Sequence, residues 1–62
     1  MAELTRANVE YKYRIARFIL PAEYNKKLEE AKIAIQRGML QTADIILEEA
    51  QDRHTAEVMG ER

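Results

Sequence analysis

The sequence predicts an all-α fold: a first helix followed by an antiparallel helical hairpin, three helical segments in one small domain over residues 1–62, assembled as a dimer or higher oligomer. Three observations predict it. Glu, Lys, Ala, Ile and Leu abound while Gly and Pro number only two and one, a composition that favours helix. Apolar residues recur at helical rather than strand spacing. Two breakers, Pro21 and Gly38, cut the chain into helix-sized pieces.

The first segment runs from about Thr5 to Leu20, with Thr5 as its cap. Pro21 pushes Leu20 away from helical geometry and lacks the N–H that would bond the Arg17 carbonyl, so a break or sharp kink is expected there. The second segment, about 22–37, places Tyr24, Leu28, Ala31 and Ile35 on one face. Gly38 suits the left-handed residue that ends a helix. The third segment, about 40–58, carries Ala43, Ile46, Leu47, Ala50 and His54 on its apolar side, and "AEVMGER" is expected to fray. The short connection at Gly38 implies antiparallel neighbours.

The stretch "AIQRGMLQTADIILEEA" resembles the turn and second helix of a tetratricopeptide unit: Gly38 at the turn, Leu40 two residues on, then Ala43, Leu47 and Ala50 at its small, large and small contact positions. The resemblance covers residues 31–50. Lys27 and Glu30 stand where the family's first helix has large apolar residues, and its terminal proline is missing. A solenoid needs several stacked repeats, and one hairpin does not make one. The resemblance implies hairpin geometry and an interaction role.

"VEYKYRIARFIL", residues 9–20, has two apolar stripes if it is helical. Leu4, Ala7, Tyr11, Ile15, Phe18 and Ile19 fall within an arc of about 120° on a helical wheel, and this face is expected to cover the hairpin. Val9, Tyr13, Ala16 and Leu20 lie on the opposite side. One small core cannot bury both, so this second stripe, with Arg14 and Arg17 beside it, is expected to bind another chain. Ile33 and Ile45, opposite the apolar faces of the later segments, form a secondary surface.

A chain of this size buries only about 60% of the surface it exposes when unfolded and usually needs a staple, a metal or a partner. With no cysteine and one histidine, disulfides and ordinary zinc sites are excluded, no cofactor is expected, and association is the remaining remedy. His54 with Glu57, and the ladder Asp44, Glu48, Asp52, read as a packed histidine and a solvated acidic face rather than a metal site. A chain without serine or cysteine, and without a Gly-rich phosphate loop, is not expected to be an enzyme.

Net charge is −1, but unevenly placed: residues 1–27 carry six Lys/Arg against three acids and residues 28–62 four against eight. Lys12, Arg14 and Arg17 interleave with Tyr11, Tyr13 and Phe18, and Lys26 and Lys27 extend the patch. That pattern suits a nucleic-acid-binding dimer, but a pI near 5.8 argues against it. No apolar run approaches a membrane span and no signal-like segment opens the sequence, so the expected location is the cytoplasm. The expected function is that of a homo-oligomeric protein–protein interaction module: an adaptor, co-chaperone or inhibitor binding through Val9, Tyr13, Arg14, Ala16, Arg17 and Leu20.

Overall fold

A computed structural model describes residues 4–60. Within them lie α1 (Arg6–Ile19), one turn of 3-10 helix (Ala22–Tyr24), α2 (Asn25–Gln36) and α3 (Leu40–Gly60), with no strand among the described residues. The ends of the expected domain, residues 1–3 and 61–62, lie outside them.

α1 starts where the sequence can satisfy a free N–H: the Thr5 hydroxyl accepts from Asn8 N–H at 3.2 Å. It stops because Leu20 precedes a proline. Leu20 is extended (φ −82°, ψ 140°), its N–H still donating to the Ala16 carbonyl at 2.8 Å. The chain therefore breaks at Pro21, and the 3-10 turn leads it into α2.

α2 ends in two crossed bonds. Gly38 N–H donates to the Ile35 carbonyl at 3.0 Å and Met39 N–H to the Ala34 carbonyl at 2.8 Å. This pattern, which satisfies carbonyls left open by the last helical turn, needs a left-handed residue between them. Gly38 supplies it at φ +79°. α3 was expected to end near Val58 but continues to Gly60, its last turns tied down by a Tyr24 hydroxyl that donates to Glu57 at 2.8 Å.

The most extensive contact is between α2 and α3, and α1 touches both about equally. Leu28, Ala31, Ala34 and Ile35 of α2 meet Ala43, Leu47 and Ala50 of α3, with Tyr24 at one end. Five of the eleven buried apolar residues are alanines. Small side chains let helix backbones approach closely, so the core is tight but shallow.

The two stripes of α1 are reversed relative to expectation. Val9 and Ala16 are fully buried, Leu20 is 7% exposed, and Tyr13 packs against the core edge. Leu4, Tyr11, Ile15, Phe18 and Ile19, expected to cover the hairpin, point away from it, Phe18 being 91% exposed. Val9, Ala16 and Leu20 are thus core residues and cannot form a docking surface in this fold. The narrow stripe fits because Ala16 at its centre matches the alanine-rich faces of α2 and α3.

Leu47 has 1% exposure and no room to be replaced, so Leu47→Ala is expected to cost about 2–5 kcal/mol. Urea unfolding monitored by circular dichroism measures it. Gly38→Ala should also destabilise, by about 1 kcal/mol or more, because the strain lies in φ and not in space.

Candidate functional site

The exposed apolar surface is concentrated on α1. Tyr11, Ile15, Phe18 and Ile19 share its outer side with Leu4, which immediately precedes the cap. Scattered exposed apolar residues are ordinary on a folded chain, but this many on one side of one helix form a contiguous patch, which marks a contact site. Ile33 and Ile45 are also exposed, on α2 and α3 respectively, but each stands singly.

Opposite charges edge the patch. On the α3 side, Leu4, Asn8, Tyr11 and Ile15 line a groove whose far wall is Asp44, Glu48 and Gln51. Lys12 crosses that wall, its Nζ lying 2.6 Å from an Asp44 oxygen and 3.6 Å from one of Glu48. The hydrogen bond to Asp44 holds the Lys12 ammonium above its ordinary 10.5. Both partners reach solvent, so the pair contributes only about 0–1 kcal/mol. It joins α1 to α3 at the rim of the groove.

On the α2 side, Arg6, Arg14, Arg17 and Lys32 meet Tyr13 and Phe18 around a second groove. Glu10 takes up Arg6 in an exposed pair at 3.0 Å. Arg14, Arg17 and Lys32 make no ion pair among the described residues. Of the residues expected to bind a partner, Tyr13, Arg14 and Arg17 line this groove, whereas Val9, Ala16 and Leu20 are buried in the core that Tyr13 borders.

Four polar residues of α3 have partners within the chain. Glu57 accepts from Tyr24, whose ring lies edge-on to His54 at 5.8 Å. Asp44 and Glu48 share Lys12. No cluster of three or more His, Asp or Glu side chains among the described residues is placed to hold a metal ion. No described helix is long and apolar enough to cross a membrane.

Sequence reasoning missed the outward direction of Leu4, Tyr11, Ile15, Phe18 and Ile19. The signal was in the chain: Leu20 adjoins the proline that joins α1 to α2, so its side must face α2.

Comparison with protein-family models, with curated proteins and with solved structures finds no match.

Burial pushes the Tyr24 phenol above its ordinary 10.0, and its bond to Glu57 adds to the shift. Tyr24 and Lys12 therefore both hold their protons more tightly when folded. Their contribution to stability is intact below about pH 10 and is lost as pH rises through the folded-state values. Denaturation midpoints between pH 8 and 11 should fall at the alkaline end, and fall less in Tyr24→Phe. Equal losses in both proteins would remove Tyr24 as a cause.

Proposed function

We propose that this chain is a small protein–protein interaction module, an adaptor, co-chaperone or inhibitor rather than an enzyme, whose contact surface is the outer face of α1. One observation carries the reading: Tyr11, Ile15, Phe18 and Ile19 stand exposed on one side of a helix whose opposite side already supplies its share of the core. Burying an aromatic side chain of this kind contributes roughly 1.5–3 kcal/mol, which the isolated chain forgoes. Tyrosine and arginine are frequent anchors of interfaces; Tyr11 belongs to this patch and Arg14 lies at its edge. Within this reading α2 and α3 run antiparallel as a tetratricopeptide-like hairpin that serves as a brace for α1. The turn at Gly38 and the bond joining Tyr24, before α2, to Glu57, late in α3, support that arrangement. A cytoplasmic location fits the same reading.

A photo-crosslinking amino acid placed at position 18 tests the reading in cells. It should yield a discrete protein adduct, while the same group at the exposed Glu30 on α2 should not. Absence of any adduct at position 18 beyond that control would overturn the reading.

A second reading, a helical dimer that binds nucleic acid, is favoured by the α2-side groove. There Arg14, Arg17 and Lys32 are unpaired among the described residues and stand beside Tyr13 and Phe18. Cations track phosphates while aromatic rings stack on bases. With three or four phosphate contacts, log affinity for a single-stranded oligonucleotide should fall with log salt at a slope of roughly −2 to −3. Arg14→Glu should abolish retention, and failure to bind at low salt would eliminate this reading.

A further inference from the structure

The outer face of α1 has a finer pattern than an apolar patch. Leu4, Asn8, Tyr11, Ile15 and Phe18 are separated by four, three, four and three residues, and all five are exposed. Alternating steps of four and three keep residues on one line as a helix winds around another. In heptad terms Asn8 and Ile15 occupy the a positions, and Tyr11 and Phe18 the d positions, while Leu4 precedes the helix.

The two edges of the seam differ in charge. Arg6, Arg14, Arg17 and Lys32 outnumber Glu10 along the α2 side, and Asp44 and the largely exposed Glu48 outnumber the Lys12 bonded to them along the α3 side. This distribution discriminates between the two ways a copy could dock. Rotation by 180° about an axis running along α1 sets the basic edge of each chain against the acidic edge of the other, twice over. Rotation about an axis across α1 sets basic against basic and acidic against acidic. Only the first arrangement is self-complementary, and it makes the two α1 helices parallel. The same arrangement places Asn8 opposite Asn8. The positions flanking the seam then pair Ala7 with Lys12 and Arg14 with Ile19, so no like charges meet across it.

We propose that the occupant of this face is a second copy of the same chain, its α1 parallel to the first, with Asn8, Tyr11, Ile15 and Phe18 forming the seam. The proposal rests on the interaction-module reading and names its partner. Charge selects this geometry, and the a/d spacing is compatible with it. The seam within α1 spans only about 15 Å, at 1.5 Å per residue from Asn8 to Phe18. The charged edges on α2 and α3 therefore complete the contact, and dimerisation should weaken as salt rises.

The chain has no cysteine, so single thiols report the geometry directly. In the parallel dimer each a position lies opposite itself, within reach of a disulfide. Asn8→Cys and Ile15→Cys should each form a covalent dimer under mild oxidation at least about tenfold faster than Glu30→Cys, because association raises the effective thiol concentration. Sedimentation of the wild type over a concentration series should show a monomer–dimer equilibrium, and Phe18→Glu should stay monomeric with unchanged helicity. A wild type that stays monomeric throughout, or thiol coupling no faster than Glu30→Cys at both seam positions, overturns the proposal. Rapid coupling between an Asn8→Cys chain and a Phe18→Cys chain, with neither coupling to itself, would mean antiparallel helices and overturns it equally. The crosslink at position 18 separates the two levels: an adduct of twice the chain mass supports the self-partner. An adduct with a different protein, without the doubled chain, overturns it and leaves the interaction-module reading standing. No adduct removes both.

Discussion

Leu20 fixes the rotation of α1, and the rest of the molecule follows from that. It is the last residue whose N–H still bonds into the helix, and the next residue is the proline that turns the chain toward α2. Leu20 is buried at this junction, while its neighbours Ile19 and Pro21 stay exposed. Once Leu20 is buried, Ala16, Tyr13 and Val9, at four, seven and eleven residues before it, must lie on the same side. Tyr11, Ile15, Phe18 and Ile19 are then carried outward whatever their hydrophobicity.

The alanines make that outcome tolerable. Ala16 enters a core in which Ala31, Ala34, Ala43 and Ala50 already hold the helices close together. Phe18 or Ile15 on this side would have to force α1 away from α2 and α3, and overpacking of this kind is itself destabilising. Close approach has a cost, however, because alanine removes little apolar area from water per residue. The Cα envelope of 38 × 27 × 16 Å is correspondingly thin, its shortest direction holding about two packed helix layers. Such a slab cannot enclose both sides of α1. The side rich in large residues is the one left at the surface, which ties the economy of the core to the availability of a contact face.

Which parts of this were legible in the sequence depended on whether one residue decided them. Thr5, Pro21 and Gly38 each impose a local geometry by their own chemistry, so the ends of α1 and α2 could be read almost to the residue. The apolar faces of α2 and α3 were readable because each helix has one principal stripe, and Tyr24, Leu28, Ala31, Ile35, Ala43, Leu47 and Ala50 all entered the core. α1 has two stripes, and periodicity is silent between them. Choosing the larger was a judgement of hydrophobic gain alone. It overlooked the tether at Leu20 and the size match with the alanines, which are properties of pairs of elements rather than of one wheel. The reach of α3 to Gly60 was hidden for the same reason, since its anchor at Glu57 is a bond to Tyr24, 33 residues away.

Charge then determines what kind of contact the exposed face can make. The excess of base in the first half and of acid in the second could have been spent entirely inside the chain, drawing α1 onto α3. Among the described residues only Lys12 is spent that way, and it holds Asp44 and Glu48 at distances of 2.6 and 3.6 Å. Arg14 and Arg17, on the other edge of the same helix, cannot reach those acids because the exposed stripe lies between them. The fold thus leaves a neutral apolar strip between edges of opposite sign. Exposed charges of this kind contribute little to affinity, yet they penalise wrong orientations and speed right ones. On this surface the apolar strip would supply most of the binding energy, and the charged edges would decide which way round the partner sits.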